Sequence, residues 1–494
     1  MNIHSVRITF ACYVYMYIGI FLFFLGWVKF FWAVPALALL AFSLWKHWKT
    51  LRSSHGMDEL FVHPAMLVAA GLFCLALCTL AGQGAFFAQT GDWEKHNMVL
   101  NDLVAYHWPV CYQNDDGKAM LTYYIAQYLF PALCGKLALS FRVAEISLLL
   151  YNAVGIFGVS VLLFRVVKAD TVKKQVVSLV VFAFFGSCLF LGKALYGATG
   201  IGASDVSELR DWISNSMQLQ YRTLFVSLRW AFPQAIVPWM AALLFAENYR
   251  NVRLYCLIGA PLLLHATFPF LGLAFMMTGV VAYQAFAHTD RKALLKDIFC
   301  VENVATAVGF LILLVYILGN VFQEKVEEVG FSYVNYGRNA TVYFCFAVTF
   351  LAYSAVIFKK YKDNLLFYLI NVSLLILPFF RMGIFNDWIM SVSIPALFLL
   401  MTLVLQALFA YCGSLRGRKY AIALIFLLAV GAVYPMEEMA DACREPISFQ
   451  GAAPGSLNEW AHRDGTVGVA EAYNYFTYDY EDSLFWRFFS KHPD

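Results

Sequence analysis

Charged residues are scarce in this chain. Asp, Glu, Lys and Arg make up 14% of its 494 residues, whereas hydrophobic residues make up 61%. A soluble domain carries about 25% charged residues, so this composition excludes an ordinary soluble protein. Several apolar stretches of about 18 residues or more are each long enough to cross a bilayer core roughly 30 Å thick. The sequence therefore predicts an all-α polytopic membrane protein.

Motifs of several other protein classes are absent from the sequence. The 11 cysteines form no CxxC pair, and neither an HExxH motif nor a soluble nucleotide-binding domain is present. The net charge of +3 is spread over many loops, so no nucleic-acid partner is predicted. The sequence therefore indicates a membrane protein whose candidate functional residues lie mainly in the loops between its spans.

About 13 transmembrane helices are predicted from the apolar stretches. They lie near residues 9–27, 30–46, 62–81, 143–164, 175–192, 229–247, 253–265, 267–286, 303–322, 341–358, 364–380, 387–411 and 420–435. With the N-terminus in the cytoplasm, this threading places the basic loops on the cytoplasmic side, as the positive-inside rule requires. These loops are residues 46–52, 165–174, 247–253, 291–296, 359–364 and 416–419.

Two stretches leave the threading open. The segments 253–265 and 267–286 are separated by very few residues and could form a re-entrant pair or one long kinked region. The loop charges alternate only if the apolar stretch 120–138 does not cross, so it is interpreted as an amphipathic or half-inserted helix at the outer surface.

The threading predicts two units. Residues 1–435 form the membrane domain, whose first long external loop, 82–142, carries amphipathic surface helices. Residues 436–494 form a small external C-terminal cap. The aromatic run at 471–489 is unsuited to a disordered tail, so this segment is expected to pack over the outer face.

The stretch "TGDWEKHN" (90–97), near the start of the external loop, contains side chains that could take part in catalysis. Asp92 and Glu94 are candidate general bases, and Lys95 and His96 are candidate ligands for a departing phosphate. The alternative is a solvated turn that ends a helix. The two carboxylates could also hold Mg²⁺ or Ca²⁺ through their oxygens, although nothing in the spacing demands a metal.

Further candidate substrate-binding or phosphate-binding residues follow in later segments. Arg222 and Arg229 lie seven apart, on one face of a predicted helix, and arginine can grip a phosphate in a bidentate manner. The alternative for both is contact with lipid headgroups. His265 lies between apolar segments, where a histidine is either functional or a packing partner. Arg381 and Asp387 flank a short external turn and could pair with each other.

Three parts of the chain resemble the GT-C superfamily of integral-membrane glycosyltransferases, in particular an uncharacterised bacterial branch. They are "GDWEKHNMVLNDLVAYHWPVCY" (91–112), "SLRWAFPQAIVPWMAALL" (227–244) together with "HATFPFLGL" (265–273), and "GIFNDWIMSVSIPALFLL" (383–400). The usual pattern of the superfamily has one span before the acidic loop, whereas this chain has three predicted spans.

The resemblance implies transfer of a hexose or pentose from a polyprenyl-phosphate carrier to a glycan, lipid or protein acceptor. The reaction would take place on the outer face of a bacterial cytoplasmic membrane, among membrane lipids. The superfamily's first-loop acid corresponds to Asp92, with Glu94 as the competing choice.

Two other functions stay open. One is an O-antigen or polysaccharide polymerase or ligase that uses undecaprenyl-diphosphate glycans, although such proteins carry their main outer loop late in the chain. The other is a transporter, which would need ionisable residues inside the spans. Apart from Glu145 and His265, the predicted spans are nearly free of them.

Overall fold

The computed structural model of the chain describes residues 2–3, 5–53, 60–114, 117–200, 219–287, 290–321, 331–337, 340–383, 386–444, 454–461, 474–478 and 480–491. The helices are α1 (Ser5–Trp27), α2 (Phe30–Ser53), α3 (Pro64–Leu80), α4 (Asp92–Ala105), α5 (Ala126–Ala138), α6 (Phe141–Val166), α7 (Val172–Phe184), α8 (Leu189–Ala198), α9 (Leu224–Ala231), α10 (Ile236–Asn248), α11 (Tyr255–Gly259), α12 (Leu262–His265), α13 (Thr267–Ala287), α14 (Arg291–Ile298), α15 (Val301–Val321), α16 (Ala340–Tyr361), α17 (Leu365–Ile376), α18 (Asp387–Val392), α19 (Ile394–Cys412), α20 (Arg418–Gly431), α21 (Val433–Arg444) and α22 (Leu457–Ala461).

Short strands accompany the helices. They are β1 (Asn2–Ile3), β2 (Leu60–Phe61), β3 (Cys111–Asn114), β4 (Gly117–Leu121), β5 (Ser332–Tyr333), β6 (Phe380–Arg381) and β7 (Phe476–Thr477). All their pairings are antiparallel: β1 with β2, β5 with β6, and β4 between β3 and β7.

The described residues contain eight helical segments that are long and apolar enough to cross a membrane, or up to ten if each of two bent pairs is one crossing. The eight segments are Arg7–Trp27, Phe30–Ser53, Phe141–Val166, Thr267–Ala287, Val301–Gly319, Ala340–Tyr361, Asp387–Cys412 and Leu415–Arg444. All eight coincide with predicted spans, so the all-α membrane character is confirmed. The predicted spans near 62–81, 253–265 and 364–380 correspond to shorter apolar helices, and the count of thirteen stays a prediction.

The predicted span 229–247 is not one straight helix. It is divided between α9, which begins earlier, and α10, and the two helical pieces meet at 103°. Pro233 lies in the connecting turn. Proline has no backbone N–H to donate, and its ring clashes with the preceding turn of a helix, so a continuous helix is disfavoured here. The bend turns α9 away from the axis of α10.

The stretch 120–138 divides into the end of β4, a loop and α5. With 13 residues, α5 is roughly 20 Å long, which is too short to cross a core of roughly 30 Å alone. It is nevertheless packed into the bundle. A Cβ on Gly19 of α1 would come within 2.3 Å of the Ala126 carbonyl, and one on Gly135 within 2.5 Å of the Ala144 Cβ. Small residues thus let α5 lie directly against α1 and α6.

The C-terminal segment packs on the first long loop and on the end of α1. β7 extends the β3–β4 hairpin, and Ser490 forms an isolated antiparallel bridge with Val28. Phe485 lies against Phe23 and Tyr316. The described parts of the tail therefore pack on the bundle, as its aromatic content predicts. The proposed boundary at 435/436 lies inside α21, which continues to Arg444.

Candidate functional site

The first turn of α4 carries the acid that the sequence singles out. Asp92 is the first residue of this helix, where the helix dipole stabilises a carboxylate. Its side chain is 35% exposed, and its Oδ1 lies 3.2 Å from the Lys95 ammonium one turn later. Glu94 is exposed to solvent. Because residues two apart on a helix do not face each other, Asp92 and Glu94 point in different directions.

Trp93 and His96 attach this turn to α9 and α5. The Trp93 indole donates to the Arg229 carbonyl at 2.8 Å. His96 Nε2 lies 3.0 Å from the Trp230 carbonyl, and Nδ1 lies 2.7 Å from the Tyr128 hydroxyl. Because a carbonyl oxygen can only accept, Nε2 carries a proton, and in the neutral ring the Tyr128 hydroxyl donates to Nδ1.

The protonation state of His96 follows from its surroundings. Burial lowers the pKa of the imidazole, and the charges of Lys95 and Arg222 lower it further. The Trp230 carbonyl and Asp92 act in the opposite direction. The ring is therefore neutral near pH 7, and both of its nitrogens contact protein groups. These contacts favour a role in holding α4 in place over the predicted contact with phosphate.

Arg229 is buried in an ion pair between α9 and α21. One guanidinium nitrogen, Nη1, donates to the Glu438 carbonyl at 2.6 Å, and Nε lies 3.6 Å from Glu438 Oε2. The Trp230 indole donates to the same carboxylate at 3.4 Å. The side chains of Arg229 and Glu438 are 5% and 8% exposed. The charge of Arg229 is thus matched inside the protein.

Arg222 has a different environment from Arg229. The expectation that both lie on one helix face is wrong, because α9 begins only at Leu224 and Arg222 lies in the extended segment before it. Its side chain is 11% exposed, and its Nη2 lies 4.0 Å from Asp387 Oδ1. Within the described part of the chain the Arg222 guanidinium makes no hydrogen bond. It is a largely buried cation with unused donors.

Asp387 is placed by the turn that precedes α18. Asn386 has a φ of +55° and Gly383 a φ of +85°, which asparagine and glycine tolerate better than other residues. A Cβ on Gly383 would lie 2.5 Å from Asp387 Oδ2, so only glycine leaves room for the carboxylate. Asp387 is the first residue of α18, and its side chain is 42% exposed.

Tyr124 lies near the pair of Arg222 and Asp387. Its hydroxyl accepts a hydrogen bond of 2.8 Å from the Gln234 amide. Burial raises the pKa of Tyr124, the Asp387 charge raises it, and the Arg222 charge lowers it. Since Arg222 also acts on the pKa of His96, the two pairs lie in one neighbourhood. This neighbourhood is the candidate site, composed of Asp92, Lys95, His96, Tyr124, Arg222 and Asp387.

The C-terminal segment reaches this site through Trp460. The Lys95 ammonium lies 5.9 Å from the centre of the Trp460 ring, in a cation–π arrangement. Trp460 is half-buried, and its ring meets Tyr475 edge-on at 6.1 Å. Residues more than 350 positions apart in the chain thus meet beside Asp92.

Of the remaining predicted site residues, His265 lies apart from the candidate site, whereas Arg381 lies in a strand that contacts α18. His265 is fully buried, and its Nε2 lies 3.0 Å from the Met16 carbonyl of α1. No contact among the described residues joins it to Asp92 or Arg222, so the structure favours a packing role. Arg381 lies in β6, opposite Ser332, six positions before Asp387.

Sequence reasoning missed four residues that the structure brings to or near the site. Tyr124 and Gln234 are polar residues inside apolar stretches, which is the signal that could have revealed them. Trp460 lies in the tail, and no local pattern relates it to Lys95. Asp102 is a further acid of the external loop, and its contacts with the tail depend on the tertiary fold.

The potential metal ligands of the described residues do not favour a metal site. Among the residues that the structure describes, no group of three or more His, Cys, Asp or Glu side chains could hold a metal ion. Asp92 and Glu94 lie in one helical turn but on different faces, which disfavours joint coordination of Mg²⁺ or Ca²⁺.

Comparison with known proteins found no similar family model, no similar curated protein and no similar solved structure.

Proposed function

We propose that the protein is a membrane glycosyltransferase that moves a sugar from a polyprenyl-phosphate carrier to an acceptor hydroxyl. One observation carries this proposal: an accessible carboxylate, Asp92, and a largely buried arginine with unused donors, Arg222, lie in one neighbourhood around His96. Such a transfer needs a base for the acceptor and a cation for the leaving group.

The atoms of the reaction can be assigned as follows. The acceptor hydroxyl oxygen forms a bond to the anomeric carbon of the donor sugar, and its proton passes to the Asp92 carboxylate. The bond between the anomeric carbon and the phosphate oxygen breaks, and prenyl phosphate leaves with the electron pair. Arg222 holds that phosphate through guanidinium donors that no described residue of the chain uses. Direct displacement of this kind inverts the anomeric centre.

The remaining side chains of the site support these two roles. Lys95 balances the charge of Asp92, and Asp387 does the same for Arg222, so the four charges of the site nearly cancel. Tyr124 and Gln234 supply a hydroxyl and an amide near Arg222 and Asp387 that can bind sugar hydroxyls. In this proposal all thirteen predicted spans cross or enter the cytoplasmic membrane, and the site faces outward.

The test compares three variants in proteoliposomes supplied with a panel of undecaprenyl-phosphate hexoses and pentoses. Release of undecaprenyl phosphate is measured at equal protein content. Asp92→Asn is expected to lower the rate by about 10²–10⁴, the usual contribution of a general base. Arg222→Gln is expected to lower it by about 10²–10³, as for loss of one charge-stabilising donor.

Glu94→Gln is the matched control, because it removes a carboxylate from the same helical turn on a different face. It is expected to keep the wild-type rate. Full activity of Asp92→Asn would exclude Asp92 as the base. Absence of any release by the wild type across the panel would count against a prenyl-phosphate sugar donor.

A further inference from the structure

The C-terminal segment is attached to α4 by one buried carboxylate. Asp102 lies ten residues after Asp92 on the same helix and is fully buried. Its Oδ2 accepts hydrogen bonds from the Tyr112 hydroxyl at 2.8 Å, the Leu457 amide at 3.0 Å and the Ser456 hydroxyl at 3.1 Å. Two of these three donors belong to residues 454–461, so the carboxylate joins two segments that are far apart in sequence.

The other oxygen of the same carboxylate, Oδ1, is buried and makes no hydrogen bond to any residue that the structure describes. The three hydrogen bonds to Oδ2 favour the ionised form, whereas full burial, with no cation paired to the carboxylate among the described residues, favours the neutral form. Protonation at Oδ1 would leave the three hydrogen bonds to Oδ2 in place. Because of its burial without a paired cation, the carboxyl favours the protonated form more in the attached state than it does when exposed.

We propose that Asp102 is a proton-controlled latch, whose protonation strengthens the attachment of residues 454–461 to α4 and whose ionisation weakens it. This inference goes beyond the proposed transferase activity and does not depend on it. Its relevance to the site comes from Trp460, which lies beside Lys95 only while the segment is attached.

The direction of the pH effect follows from linkage. Burial raises the pKa of Asp102 to about 6, against the hydrogen bonds from Tyr112, Leu457 and Ser456, which lower it. The other titratable group of the described elements that acts on it is Glu459, whose charge raises the pKa. The attached state therefore binds the proton more tightly than the detached state, in which the carboxyl is exposed.

The size of the effect can be worked out from these two states. Above about pH 7 the equilibrium constant for attachment is at its minimum and does not change with pH. It increases as the pH falls through 6. With an exposed Asp near its ordinary pKa of about 3.9, the attachment constant rises about tenfold between pH 7.5 and pH 5.

Hydrogen exchange of the full-length protein in lipid nanodiscs measures the latch directly, because the Leu457 amide is one of its donors. Exchange of a peptide covering 454–461 is compared at pH 5 and pH 7.5 after correction for intrinsic exchange rates. The reference peptide covers α5, which carries none of the latch groups. In the wild type, protection of 454–461 should be about tenfold greater at pH 5, while the reference should not change.

Asp102→Asn keeps the shape of the neutral acid and cannot ionise. It should protect 454–461 equally at both pH values, at the level that the wild type reaches at low pH. A wild-type peptide that shows no more pH dependence than the reference would overturn the latch. A pH dependence that persists in Asp102→Asn would overturn it as well.

A second pair of variants keeps the test decisive if Asp102→Asn does not fold. Tyr112→Phe removes a hydrogen bond that favours the ionised form, so the pH at which protection changes should rise. Tyr106→Phe is the matched control, because Tyr106 packs against Tyr112 without contacting the carboxylate through its hydroxyl. Equal pH profiles for Tyr112→Phe and Tyr106→Phe would contradict the assignment.

Discussion

Arg222 and Arg229 have different surroundings, and a pair of substitutions tests whether their roles differ. Arg229 pairs with Glu438 at a site where both side chains are less than a tenth exposed. Breaking a buried ion pair from one side costs about 3–5 kcal/mol. Glu438 would keep the hydrogen bond from Trp230, so for Arg229→Met we expect the lower end, about 3 kcal/mol. Arg222→Met should cost less than about 1 kcal/mol, because its partner Asp387 is exposed and 4.0 Å away.

The assay is the free energy of unfolding in mixed micelles titrated with a denaturing detergent, with transfer activity measured on the same preparations. Arg229→Met should be destabilised, and the double variant with Glu438→Leu should recover most of the loss, because no buried charge is then left alone. Arg222→Met should be nearly as stable as the wild type but inactive. Equal destabilisation by the two single arginine substitutions would refute the distinction.

Two further predictions concern packing and the buried histidine. Gly19→Ala should lower the free energy of unfolding by about 1–3 kcal/mol, because its Cβ would lie 2.3 Å from the Ala126 carbonyl. Gly71→Ala, whose Cβ meets no atom within 4 Å, should change it by less than about 1 kcal/mol, and a similar loss in both would argue against the close contact of α1 with α5. His96→Phe should cost about 1–3 kcal/mol by leaving the Trp230 carbonyl and the Tyr128 hydroxyl unpaired. Because burial lowers the pKa of His96, the stability that separates wild type from His96→Phe should be constant above about pH 6.5 and shrink as the pH falls below it. Unfolding titrations between pH 5 and 8 check this, and a difference that grows on acidification would contradict a neutral histidine.

The membrane helices could be read from the sequence because long apolar runs leave few alternatives to a spanning helix. The interruptions were harder to see. The bend between α9 and α10 depends on Pro233 and on the packing of the residues around it. The prediction of a single span over 229–247 took neither into account. The half-inserted helix expected at 120–138 begins later than the apolar stretch does, because the first residues of that stretch pair as β4. The pairing of β4 with the distant strand β7 leaves no local signal in the sequence.

The sequence identifies most of the side chains of the candidate site but not the groups that they contact. Arg222 and Arg229 are equivalent in a sequence argument, since both are arginines near the end of an apolar stretch. What distinguishes them is Glu438, which is 209 residues from Arg229. His96 was expected to meet a substrate, but Tyr128 and the Trp230 backbone occupy its nitrogens. Hydrogen-bond partners of this kind are set by the tertiary fold.

The scaffold around the candidate site holds its two charged pairs in place. Oppositely charged groups attract more strongly where solvent is partly excluded, and flexible side chains would rearrange to pair more closely. Asp92 and Lys95 are held on α4, which Trp93 and His96 fasten to the α9 backbone. Arg222 directly follows Gln220 and Tyr221 in the chain. The Tyr221 hydroxyl donates to the Leu374 carbonyl, and the Gln220 amide donates to the Tyr434 hydroxyl.

Each pair is therefore fixed by contacts that do not involve its own charges. In the proposed reaction, charges that are held in this way need little rearrangement around a phosphate and a hydroxyl, and such preorganisation is the main source of electrostatic stabilisation in enzymes. The neutral His96 contributes by adding no charge of its own.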